Sequence, residues 1–257
     1  MEQISKEIMF GAIIGDVVGS RFEFNNIKTK DFTLFTSHNY FTDDTVMTVA
    51  CMASINKYGL DLDVNNVGKI LKTWGRRYPD AGYGGRFYHY VFNENYEPYN
   101  SFGNGSAMRV AAAGWVSNDP NEIEKAVIGI TNPTHNHPEG IKGAYVTAMC
   151  IYMARNGKSK EEIKQFVEQY YDLNFDYEEL RKTYFHGEEI CQNTVPQAIY
   201  CFLISNDFED TIRTTMSIGG DCDTTAAISG AIAEAFYGVP QKFVDEVKKY
   251  LTTEMLD

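Results

Sequence analysis

Gly219-Gly220-Asp221-Cys222-Asp223-Thr224-Thr225, continued by a run rich in Ala, Gly and Ser from Ala226 to Tyr237, reads as a sharp turn feeding a helix of small residues. The paired glycines let the backbone turn tightly, and small side chains let another helix pack close enough to hold the loop rigid. A second segment of this kind spans residues 2–18, where Ile4, Ile8, Ala12 and Val18 recur near every 3.6 residues. There Gly11, Gly15 and Gly19 mark places for close backbone approach. Working outward, helical periodicity covers residues 44–58, 64–77, 106–116, 121–130, 138–156, 159–171, 193–205, 208–217, 223–237 and 241–251. Thr42 is a good N-cap and Gly59 a good stop for the first of these. Pro120 and Pro240 open two others, and Ser159 with Glu162 forms a capping box.

Strand signals are poor; the best is Phe32-Thr33-Leu34-Phe35. About ten helices without β alternation predict an all-α fold, a single compact orthogonal helical bundle over residues 1–257. Residues 78–105, rich in Gly, Tyr and Asn, read as a long loop, which in a compact domain is more often functional than accidental.

With 257 residues, 44% hydrophobic and 23% charged, the composition is that of a globular protein with a substantial core, and excludes a disordered chain. The net charge of −12 argues against nucleic acid as a partner, because phosphate neutralisation needs a basic surface. No apolar run reaches the roughly 18–20 residues that cross a bilayer, and the first residues lack the order of a signal peptide. The expected compartment is the cytoplasm, without membrane association, and a monomer is the default. Five scattered cysteines without a C-x-x-C pair fit that compartment and form no disulfide framework.

Two acidic clusters carry the chemistry. Phe41-Thr42-Asp43-Asp44-Thr45 begins a helix, where carboxylates are favoured anyway, yet two aspartates between threonines also suit a hard divalent cation. The Asp221-x-Asp223 loop repeats this chemistry at another helix start, and by itself is equally readable as a capped helix in a crowded core. Brought together, four carboxylates would repel and raise one another's pKa values, a penalty that two divalent cations remove. Paired metals also activate water and clamp substrate oxygens.

Elsewhere, Gly103-Asn104-Gly105-Ser106 before a helix reads either as an ordinary turn or as an anion cradle. His135-x-His137 has zinc-like spacing but no third ligand at a suitable interval. His38, His89 and His186 carry no motif. Tyr83, among Gly82, Gly84 and Gly85, reads either as a packed tyrosine or as part of a mobile aromatic loop. Asp80 is a weaker catalytic candidate.

Five ordered blocks then resemble the ADP-ribosylglycohydrolases: residues 11–23 (GAIIGDVVGSRFE), 41–47 (FTDDTVM), 103–109 (GNGSAMR), 134–140 (THNHPEG) and 219–225 (GGDCDTT). The resemblance implies an all-α fold around a dinuclear site of Mg2+ or Mn2+, and hydrolysis of the bond between C1″ of ADP-ribose and a protein side chain. It implies metal binding by Thr42, Asp43, Asp44, Asp221, Asp223 and Thr224, and catalysis by Glu23, Asp43, Asp44 and Asp223. Glu23 is the foremost proton-handling candidate, whereas Asp16 on its glycine-rich helix is expected to be structural. Carried over by position, Gly103, Asn104, Gly105, Ser106, Met108 and His135 would contact the ligand, joined by Tyr83 and Phe102; Arg109 is expected to be an internal partner. The partner would be an ADP-ribosylated protein, with ADP-ribose as product. The alternatives are an ADP-ribose-binding module without catalysis and a metallohydrolase of another ADP-ribose-like nucleotide. Cys222, where the family often has Thr, alternates with the ligands and should point away from them, although a thiol there would make the site oxidation-sensitive.

Overall fold

The computed structural model describes residues 9–256, and among these there is no strand. Helices α1 (Phe10–Gly19), α2 (Asp43–Tyr58), α3 (Val64–Arg77), α4 (Gly85–Phe92) and α5 (Gly105–Met108) make the first half, followed by a 3-10 turn over Ala111–Trp115. The second half holds α6 (Pro120–Thr131), α7 (Pro138–Arg155), α8 (Lys160–Val167), α9 (Tyr177–Thr183), α10 (Cys191–Ile204), α11 (Phe208–Ile218), α12 (Cys222–Tyr237), α13 (Gln241–Val247) and α14 (Thr253–Leu256). The class is all-α, as the periodicity predicts. The expected helical residues Ile4 and Ile8 lie outside the described residues.

The centre of the fold is the pair α1 and α12, both buried along most of their length. Their small residues make backbone meet backbone: a Cβ built on Gly15 would lie on the carbonyl of Ala226, and one on Gly19 would strike the Cα of Asp223. The glycine spacing thus has a structural purpose that reaches the acidic loop itself, since Gly19 is the surface on which Asp223 rests. Two further features set that loop. Gly219 and Gly220 both have φ of 73°, a left-handed conformation costly for other residues, and they turn the chain out of α11 directly into α12.

Caps follow the sequence at several helix starts. Thr42 Oγ1 accepts from Asp44 N at 3.3 Å, Gly59 ends α2 at φ 61°, and Ser159 with Glu162 makes the reciprocal capping box. Two expectations fail. The helix expected over 106–116 is two pieces: the chain leaves α5 at Arg109, whose side chain turns inward to Thr134, and the following turn tightens so that Gly114 can lie against Ile151 of α7. Phe32–Phe35, as its poor strand signal implies, forms no strand; it is a loop in which Phe32 packs edge-on against Phe22 at 5.3 Å and Leu34 is buried. The long loop over 78–105 contains α4, because Phe87, Tyr90 and Val91 share one buried face at helical spacing. Helix α9 is opened by Asp176, which accepts from Glu179 N.

Candidate active site

Asp16, fully buried on α1, decides how α2 begins. One of its carboxylate oxygens accepts from the backbone N–H groups of Thr42 (2.9 Å) and Thr45 (3.0 Å) and from the Thr45 hydroxyl; the other accepts from Thr42 Oγ1 at 2.7 Å. A carboxylate at a helix N-terminus is favoured electrostatically, and here it also fixes the first turn. The structural role expected for Asp16 is therefore seen directly. Asp43 and Asp44 then project from that turn toward α12, where Thr224 Oγ1 donates to Asp44 at 3.1 Å. From the α12 side, Asn104 Nδ2 donates to Asp221 at 2.6 Å and ties the glycine-rich loop before α5 to the acidic loop.

These groups line one cavity of about 410 Å3. Of the residues singled out from sequence, it brings together Glu23, Asp43, Asp44, Asp221, Asp223, Thr224, Gly103, Asn104, Gly105, Met108 and His135. Four others stand behind or beside it. Thr42 is buried against Asp16 and Asp44. Ser106 is fully buried and donates to Gly140 O at 2.8 Å, holding α5 to α7. Tyr83 is buried with its ring 5.5 Å from Phe87 and its hydroxyl unpaired, the packed alternative for that residue. Phe102 lies partly exposed against His137 at 5.0 Å.

The electrostatics are dominated by buried carboxyls crowded together. Burial raises the carboxyls of Asp43 and Asp44 well above their usual range; repulsion from Asp16 and Asp221 adds to both, and Asp43 further raises Asp44. Asp223 is raised likewise by burial and by Asp221, Asp44 and Glu23. Burial and Asp221 push Glu23 up to about 7, against an opposing pull from His186. One oxygen of Asp44 is buried with no hydrogen-bond partner. Carboxylate oxygens of Asp16, Asp44 and Asp223 approach within 4.8 Å of one another, and so do donor atoms of Glu23, His186 and Asp221. Crowded oxygen donors and an orphaned buried oxygen fit a divalent cation.

His135 is a different kind of group. Arg109 donates to Thr134 Oγ1 at 2.6 Å, and the Thr134 hydroxyl lies 2.7 Å from His135 Nδ1, which Arg109 Nη2 also approaches at 3.5 Å. Those donors assign the lone pair to Nδ1 and the hydrogen to Nε2. Burial and the cations Arg109 and Arg86 hold the ring well below its usual pKa, so it stays neutral. Nε2 faces the glycine-rich loop: a Cβ on Gly105 would approach it to 3.2 Å. His135 thus offers a fixed N–H donor, and Gly105 keeps that donor open.

Cys222 points away from the carboxylates, with Sγ 3.8 Å from Gly19 O. Its expected oxidation sensitivity is not supported by its surroundings. The thiol is fully buried, and burial with the neighbouring aspartates raises it well above its usual pKa, leaving no reactive thiolate.

Sequence reasoning missed the rim: Phe24, Arg86, Tyr99, His186 and Glu189 also line the cavity. Phe24 follows Glu23 directly and so was in reach. The others sit in segments without motif spacing.

The profile of the ADP-ribosylglycohydrolase family matches residues 5–257. Human ADP-ribosylhydrolase ARH3 is 26% identical, over 96% of this chain and 89% of that protein. The ADP-ribosyl-[dinitrogen reductase] glycohydrolase of Rhodospirillum rubrum is 27% identical, over 89% of this chain and 84% of its own length. ADP-ribosylarginine hydrolase Tri1 of Pseudomonas putida (strain GB-1) is 24% identical, over 95% and 74% respectively. A solved structure described as an ADP-ribosylglycohydrolase-related protein complex shares the fold with a TM-score of 0.72 at 20% identity, covering 95% of this chain and 94% of that one. With a family match over nearly its whole length, this chain belongs to the ADP-ribosylglycohydrolase family.

Proposed function

We propose that this protein is a metal-dependent hydrolase that releases ADP-ribose from a modified protein side chain by cleaving the glycosidic bond at C1″. The observation that carries the reading is the convergence of Asp43, Asp44, Asp221, Asp223 and Thr224 on one cavity, with a buried Asp44 oxygen left unpaired. Thr42, Asp43, Asp44, Asp221, Asp223 and Thr224 are the residues that would hold two ions, Mg2+ or Mn2+. When bound, the ions would supply positive charge that orients sugar hydroxyls and lowers the pKa of a water.

The chain's own groups do the rest. The backbone of Gly103, Asn104 and Gly105 gives an unobstructed wall for the diphosphate, with Met108 beside it. His135 Nε2–H donates to an oxygen of the ligand without changing charge. Glu23, at about 7, is poised to take a proton as the water oxygen bonds to C1″. Glu23 returns that proton to the acceptor atom as its bond to C1″ breaks, which leaves Glu23 as it began.

Product analysis on an ADP-ribosylated protein tests this reading. Cleavage at C1″ yields intact ADP-ribose and an unmodified side chain. Recovery of AMP instead would place the attack on the diphosphate and overturn the assignment.

A further inference from the structure

Glu23 lies in the turn that follows α1, where its N–H donates to Gly19 O at 3.2 Å; this fixes its backbone but leaves its carboxylate to be oriented by side chains. The structure supplies a candidate from a remote segment. His186 Nε2 lies 3.4 Å from Glu23 Oε1, and its Nδ1 lies 3.0 Å from Glu189 Oε1. The imidazole is also in ring contact with Phe24 at 5.1 Å. The segment carrying it is pinned at both ends. Lys28 Nζ donates to the carbonyls of Tyr184 and Ile218, anchoring the start to the turn after α11. At the other end Asn104 N donates to Glu189 O at 2.9 Å, and Cys191 N donates to Phe102 O at 3.0 Å. The chain between these anchors crosses from the Glu23 loop to the glycine-rich loop and carries His186 over the cavity mouth.

We propose that His186, braced by Glu189, is a positioning residue that holds the Glu23 carboxylate in its working orientation. The inference rests on the role given to Glu23 under the proposed function. Glu189 faces one ring nitrogen at 3.0 Å and Glu23 the other at 3.4 Å, so the ring is oriented by Glu189 and in turn orients Glu23, with Nε2 donating when the imidazole carries both hydrogens or accepting from Glu23 when that carboxyl is protonated. Misplacing a reacting group by about 1 Å can cost about 100-fold in rate.

The test compares His186→Ala, His186→Gln and Glu189→Gln with the parent protein, using whichever ADP-ribosylated protein the parent hydrolyses, and adds crystal structures of the parent and both His186 variants. The side chain is partly exposed, so melting temperatures should match. His186→Ala is expected to lower kcat by about 10- to 100-fold with KM and ADP-ribose affinity nearly unchanged. His186→Gln, whose amide still reaches Glu23, should recover most of the loss, and Glu189→Gln should lose less than His186→Ala. In the crystal structure of His186→Ala the Glu23 carboxylate should leave its present rotamer, and in His186→Gln it should keep it. Unchanged kcat in His186→Ala, no recovery by Gln, or a change confined to KM would each overturn the proposal. An unmoved Glu23 in His186→Ala would overturn it even if the parent protein released no ADP-ribose, a result that would count against the proposed function instead.

Discussion

The two sides of the cavity are built differently. The floor comes from the starts of α2 and α12, where Asp43, Asp44 and Asp223 are set by Asp16, by Thr224 and by the backbone contact of Gly19 with Asp223. The rim comes from Phe24, Arg86 and the 184–190 segment, which are largely exposed and held by a few hydrogen bonds and ring contacts. One is welded by packing at backbone distance; the other is suspended across the opening. The difference separates two tasks: holding charge that the fold must be forced to accept, and bordering the cavity mouth.

The sharpest way to break this comparison is at the floor. Asp43→Asn and Asp221→Asn should each lower activity at least about 1,000-fold, because each removes a carboxylate facing the substrate without changing volume. Circular dichroism and melting should remain close to the parent. Full activity with unchanged metal dependence in both variants would show that the floor is not the catalytic centre. Next in size is Gly15→Ala, whose new methyl would meet the Ala226 carbonyl with no flexible side chain to yield. A loss of about 3 kcal/mol or more is expected in urea unfolding. A loss under about 0.5 kcal/mol would mean that α1 and α12 are not locked together.

A third test uses Glu234, which caps α1 from α12 by accepting from Gly11 N at 2.9 Å. Burial pushes its carboxyl up to about 8. The folded state therefore binds a proton that the unfolded chain has released, so this contribution is fully present at acid pH and is lost as pH rises through about 8. Unfolding between pH 5 and pH 8 should show stability falling by about 1 kcal/mol or more from this group, and Glu234→Gln should flatten that slope. An equal slope in parent and variant would contradict it. On the rim, by contrast, Phe24→Ala should shift stability by less than about 0.5 kcal/mol, since Phe24 is 78% exposed, and should act on KM. A large drop in melting temperature would erase the distinction between floor and rim. Smallest of all, Cys222→Thr should leave activity and its response to thiol oxidants unchanged, because the buried thiol faces Gly19.

The same division governs what could be read from sequence. The floor was legible because its chemistry is local: a helix start, a D-x-D turn and glycines at helical spacing are each encoded within a few residues. Even Asp16 could be assigned a structural role, since a carboxylate on a glycine-rich helix has few other uses. Helix α4 was hidden because Gly82, Gly84 and Gly85 and the tyrosines read as loop, while the buried stripe of Phe87, Tyr90 and Val91 was short. His186 was out of reach for another reason. Its partner Glu23 is 163 residues away, and anchors at Lys28, Phe102 and Asn104 bring the two together. Tyr83, Ser106 and Phe102 fell in the correct neighbourhoods, yet local sequence does not say which way a side chain turns.

On the proposed function, divalent ions held at the floor are needed for the release of ADP-ribose. The most direct measurement is release of free ADP-ribose from arginine-, serine- and asparagine-linked substrates in Mg2+, in Mn2+ and with chelator. The account predicts release from one linkage with either ion, and none with chelator. Release that persists undiminished in chelator, or tight ADP-ribose binding with no release from any linkage, would contradict it.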